Sequence, residues 1–161
     1  MSLGLVLGNS EIEIVDRQST VAIELERLKR FGEAVYGRVR GMEAPEGYKG
    51  YEVADVFGEV TAVEVAIVSD EVIADVHERF MAISGPTDVI TFEHGEIVIS
   101  ADTAARQALE HEKSCNEEIA LYIVHGLLHL RGYDDRNEVM AAEMHDCQEA
   151  ILNEFWDASG A

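Results

Sequence analysis

His125-Gly126-Leu127-Leu128-His129-Leu130-Arg131-Gly132-Tyr133-Asp134-Asp135 carries two histidines four residues apart, a glycine three residues later and a carboxylate three beyond that. An α-helix turns about 100° per residue, so side chains at i and i+4 share one face, about 6 Å apart along the axis. Both imidazoles can then reach one metal ion. Gly132 can end the helix, because glycine accepts the left-handed conformation at a helix C-terminus. The chain turns there and can bring Asp135 back as a third ligand. Two ring nitrogens and a carboxylate oxygen suit zinc, with a fourth position left for water. The competing reading is two ordinary helix histidines, which then need other partners for their ring nitrogens.

Outward from this stretch, the flanking chain reads as alternating strands and helices. Glu11 to Val15 alternates polar and apolar residues and predicts a strand. Ser19 or Thr20 is expected to cap a helix to about Arg40, ended by Gly41. The segment 43–58, with Pro45, Gly47 and Gly50, reads as a loop or insertion. Val63 to Val68 predicts a second strand, and Ser69 or Asp70 caps a helix to about Met81. Ser84-Gly85-Pro86 breaks that helix. Asp88 to Phe92 and Glu96 to Ser100 read as a hairpin around His94-Gly95. Ser100 or Asp102 begins a helix to about Lys113, Asn116 caps the helix of the two histidines, and Asn137 begins a last helix to about Phe155. The expected architecture is one α+β domain over residues 1–161, with a four-stranded sheet and about five helices. Its metal site lies on a helix followed by a glycine-terminated turn.

Composition bounds the function. The 161-residue chain is 47% hydrophobic and 27% charged, as in a soluble globular protein, and its formal net charge of −20 argues against coating nucleic acid through a broad basic surface. It does not exclude a metal that meets phosphate. No run approaches the roughly 18 apolar residues of a membrane span. Met1 to Ser10 lacks a positive n-region and a hydrophobic h-region, so a cytoplasmic location is expected. Cys115 and Cys147 lack CxxC spacing and read as reduced thiols, with Cys147 a minor alternative metal ligand.

The offsets are similar to the zincin series HExxHxxGxxH, but Gly126 stands where that series has its glutamate base. Metal-dependent proteolysis therefore lacks its proton acceptor. A glycine here instead permits close approach of another element or a bulky substrate.

His125 to Asp134 resembles the signature of the YbeY family of ribosomal RNA maturation endoribonucleases, H-G-x-L-H-L-x-G-Y-D-H. Pro86-Thr87-Asp88-Val89-Ile90-Thr91-Phe92 is similar to its P-T-D-V-L-S-F motif, and Gly95 to Ser100 to its G-D-I-x-I-S strand. Met144, Gln148 and Glu149 fit its final helix. The resemblance implies a single-strand-specific, metal-dependent endoribonuclease acting in maturation of the 16S 3′ end and in ribosome quality control. It implies one zinc ion per chain, or another divalent metal, held by His125, His129 and Asp135. The expected partners are ribosomal RNA and the small ribosomal subunit or its proteins, with neither membrane nor DNA.

Three positions depart from the family pattern. Asp135 stands where the family's third histidine lies, and His145 on the last helix is an alternative ligand. Met81 occupies the place of an arginine that many members carry, and Arg79 lies about 200° away around the helix. The segment 43–58 is longer than usual. No side-chain base is evident. A metal-bound water and the RNA's own 2′-hydroxyl both stand as nucleophile, Arg79 and Arg131 are the weak candidates for catalytic helpers, and Thr87 and Asp88 are candidates to line the cleft. Two other classes stay open. One is a non-catalytic ribosome-assembly factor with a structural metal, its acidic surface docking on a basic ribosomal protein. The other is a metal-dependent hydrolase of another substrate.

Overall fold

The computed structural model describes residues 12–45 and 62–160. Among them four strands and five helices alternate in the expected order. They are β1 (Ile12–Asp16), α1 (Leu25–Arg40), β2 (Val63–Val68), α2 (Asp70–Met81), β3 (Val89–Phe92), β4 (Glu96–Ser100), α3 (Ala101–His111), α4 (Cys115–Arg131) and α5 (Glu138–Ser159). The strands form one sheet in the order β1-β2-β4-β3. β1 and β4 both run parallel to β2, and β3 pairs antiparallel with β4 through the hairpin. The turn between them is closed by Gly95, at φ 105°.

Strand periodicity sorts the side chains onto two faces. Ile12, Ile14, Val63, Val65, Ile67, Ile97 and Ile99 join the main core with residues of α1, α3, α4 and α5. Ala66, Val68, Ile90 and Val98 face the other way and pack on Ile73 of α2. α4 lies at the centre of the main core, against α1, α3, α5 and the β3–β4 hairpin. That position explains why its sequence is apolar nearly all round. Each of its largest fully buried side chains, Ile119, Ile123, Leu127 and Leu128, contributes about 1.5–3 kcal/mol by leaving water.

Ser69 and Asn137 cap their helices as expected, accepting from the amides of Val72 and Met140. Several boundaries differ from expectation for identifiable reasons. α1 starts at Leu25, because the Gln18 side chain closes residues 18–21 into a turn. Its Oε1 accepts from the amides of Thr20 and Val21, and its Nε2 donates to the carbonyl of Val21. Ser114, not Asn116, caps α4, in the S-x-x-E pattern with Glu117. Asn116 is spent instead on the start of α1, where its Oδ1 accepts from the Glu24 amide at 2.8 Å. Of the two expected caps for α3, Ser100 serves, accepting from the Thr103 amide. That helix stops at His111, since Glu112 adopts the left-handed conformation. α5 continues past Phe155 to Ser159. Arg27 and Arg30 of α1 donate to the carbonyls of Trp156 and Ser159 and so satisfy its last turn. Of the expected 43–58 loop, residues 46–58 lie outside the described residues.

Candidate metal centre

α4 presents His125 and His129 on one face, with side chains 28% and 26% exposed. Their rings meet edge to face, with centroids 4.6 Å apart. Gly126 lets α4 lie this close to the sheet, because a Cβ there would sit 2.8 Å from Ile97 Cδ1 on β4. Gly132 ends the helix at φ 115°, with amide bonds from Gly132 and Tyr133 back to the carbonyls of His129 and Leu128. The turn then delivers Asp135 to the two imidazoles. Asp134 faces elsewhere, accepting from Arg136 and from the Asp135 amide.

Hydrogen bonds fix what the rings offer. His125 Nδ1 donates to Gln148 Oε1 at 2.8 Å, and His129 Nδ1 donates to the Tyr133 carbonyl at 3.1 Å. Neutral imidazole carries one proton, so each Nε2 presents a lone pair. The two Nε2 atoms are 3.1 Å apart, and each lies 3.9 Å from Asp135 Oδ2. Burial, and next His125, lower the His129 pKa below its usual range, which keeps the ring neutral at pH 7. Three electron-pair donors thus converge with no proton donor among them, an arrangement that a cation stabilises. The point in their plane equidistant from all three atoms is about 2.1 Å from each, the length of Zn–N and Zn–O bonds. The donor set therefore fits a divalent metal. Asp135 is half exposed, so the group is open on that side.

The other sequence candidates separate. His145 is exposed and outside this group, and Cys147 packs against the main core and hydrogen-bonds Tyr133. Burial, followed by Cys147, pushes the Tyr133 phenol up to about 12. Arg79 is exposed and holds Asp75, one turn away on its own helix, at 2.8 Å. Arg131 donates from Nη1 to the Arg40 carbonyl at the end of α1. Thr87 donates to Asp88 at 3.4 Å.

Asp88 does adjoin the metal group. It lines a cavity of about 220 Å³ with His125, Gln148 and residues of α3 and α4. Two residues of this cavity had no local sequence signal. Glu118, only 1% exposed, accepts from His111 Nδ1 at 3.0 Å and from the Tyr122 hydroxyl at 3.1 Å. Burial and the Glu118 carboxylate raise the Tyr122 pKa, so it remains a phenol. The spacing His111 to Glu118 crosses a helix break, which hides the pair from periodicity.

The family model described as Endoribonuclease YbeY matches residues 14–156 of the chain. An Endoribonuclease YbeY of Acholeplasma laidlawii is 39% identical over 103 residues, covering 59% of this chain and 75% of the relative. An Endoribonuclease YbeY of Bacillus licheniformis is 32% identical over 151 residues, covering 82% and 84%. The solution structure of TM1509 from Thermotoga maritima shares the fold, with a TM-score of 0.56 at 23% identity, over 91% of this chain and 90% of that one. With its signature residues gathered at one centre and the match running nearly end to end, the chain belongs to the YbeY family of endoribonucleases.

Proposed function

We propose that this protein is a metal-dependent, single-strand-specific endoribonuclease of the cytoplasm, acting in 16S 3′-end maturation and ribosome quality control. Its metal is one zinc ion per chain. Family membership supports the nuclease reading. The observation that carries metal dependence is the pair of facing Nε2 lone pairs beside the Asp135 carboxylate. The partners in this reading are ribosomal RNA and the small subunit.

His125, His129 and Asp135 would hold the metal, and a bound zinc supplies Lewis acidity to a phosphodiester and lowers the pKa of water. Gln148 and the Tyr133 carbonyl hold the rings in the tautomer that leaves Nε2 free to ligate. Asp88 lines the cleft next to His125, and Thr87 acts behind it through its hydrogen bond to Asp88 Oδ1. Arg79 and Arg131 are engaged by Asp75 and the Arg40 carbonyl, which leaves positioning of the phosphate chiefly to the metal group.

A second reading has one observation in its favour. The net charge of −20 suits docking on a basic ribosomal protein more than on free RNA, as an assembly factor with a structural metal would require. Elemental mass spectrometry on untagged protein tests the metal. About one zinc per chain, lost in His129→Ala, supports the centre. No metal in the wild type, and no uptake of added zinc, refutes it.

A further inference from the structure

The cavity beside His125 has walls of two kinds. Val89, Leu121 and the Tyr122 ring are apolar, while Asp88, Gln107 and Gln148 are polar. At about 220 Å³ it is smaller than the roughly 300–1,000 Å³ that drug-sized ligands occupy, and suits a single flat ring system. Three of its lining groups are already satisfied, because Glu118 accepts from both His111 and Tyr122.

The polar groups at its sides are not. Asp88 Oδ1 accepts from the Val89 amide at 2.7 Å and from Thr87, while Oδ2 has no partner among the described residues. Gln148 spends Oε1 on His125 and keeps its amide hydrogens. The half-buried Gln107 amide also has no partner among the described residues. Unspent acceptors and donors thus line one partly apolar slot that shares His125 with the metal group. Protein modules that read single-stranded RNA use this combination, apolar contact on a base face and hydrogen bonds to its edge.

We propose that this cavity receives one nucleobase of the RNA strand and prefers bases with an exocyclic amino group to uracil, Asp88 being the selecting residue. The inference rests on the nuclease reading above. A carboxylate only accepts, and adenine, cytosine and guanine offer it an amino group. Uracil offers one N–H between two carbonyl oxygens, which the carboxylate repels.

The test is a titration of the 161-residue, methyl-labelled protein with adenosine, cytidine and uridine, reading the Leu121 and Val89 methyl resonances by NMR. Cleavage of single-stranded RNAs differing at one base is measured in parallel. Adenosine and cytidine should shift these resonances with about tenfold tighter affinity than uridine. Asp88→Asn, whose amide both donates and accepts, should bring the three within about threefold. Leu121→Trp, which fills the slot, should abolish the shift of the remaining Val89 methyls while zinc stays bound.

Equal response to all three nucleosides, or response to N-acetylargininamide and none of them, overturns the proposal. RNA cleavage that ignores the base, with silent methyls, sinks the cavity assignment and leaves the nuclease standing. Selective methyl shifts without cleavage sink the nuclease reading instead.

Discussion

His125 and His129 point their Nε2 atoms at each other across 3.1 Å, while Gln148 and the Tyr133 carbonyl hold the opposite ring nitrogens. The contact costs free energy without a cation between the rings, and acid should expose that cost. Burial, and then His125, lower the folded-state pKa of His129 from its ordinary 6.5. The unfolded chain therefore binds a proton that the fold resists, so stability rises with pH. Metal-free protein should lose stability as pH falls below about 6.5 through the folded-state value, with no contribution from this group above about pH 7.5. Urea midpoints at pH 7.5 and 5.5 check this. His129→Gln should flatten the difference, and an unchanged slope would contradict the assignment.

Gln148 should matter through His125. Losing a hydrogen-bond partner behind a metal-ligating histidine weakens metal binding about 10–100-fold. Gln148→Leu should do so in a chelator competition titration, and Gln148→Glu, which keeps the acceptor, should restore most of it. An affinity for zinc that Leu leaves intact would mean the hydrogen bond is incidental.

Gly126 sets the distance between the metal helix and the sheet. Alanine there gains about 1 kcal/mol of helix propensity. Its Cβ would also lie 2.8, 3.0 and 3.1 Å from three atoms of fully buried Ile97, so rotating one methyl does not relieve it. Overpacking costs about 1–3 kcal/mol, so Gly126→Ala should destabilise by about 1 kcal/mol net. Ile97→Ala in the same chain should relieve the clash. Chemical denaturation of the two variants measures both effects.

Asp70 ties α2 to α3. Its Oδ1 accepts from Ser100 at 2.6 Å and Thr103 at 2.7 Å, and its Oδ2 pairs with Arg106 at 2.8 Å. Burial works against the charge, but the bonds from Arg106, Ser100 and Thr103 outweigh it and lower the Asp70 pKa. This stabilisation is present above the unfolded value near 3.8 and is lost as pH falls through the lower folded one. Asp70→Ala should cost about 2 kcal/mol at pH 7, since it leaves the fully buried Ser100 hydroxyl without its acceptor. The deficit should shrink below pH 3 in thermal melts.

Much of the site was readable along the chain because its ligands lie within eleven residues. Helix periodicity placed His125 with His129, and Gly132 marked the turn that returns Asp135. Alternation and turn residues located the four strands among the described residues. Beyond the β3–β4 hairpin, the order β1-β2-β4-β3 was not readable, since hydrophobic pattern fixes which face a residue takes and not which strand neighbours it. Gln18, Asn116 and Glu118 escaped for a related reason. Each is a polar side chain whose partner lies across a turn or on another helix, and local propensity carries no record of such partners.

RNA cleavage under metal control bears most directly on the whole account. Untagged protein is incubated with a single-stranded RNA oligonucleotide as purified, after chelation, and after zinc is returned, beside a His125→Ala/His129→Ala variant. Internal cleavage should stop on chelation, return with zinc and be absent in the variant. Cleavage that survives both chelation and loss of the two histidines would contradict it.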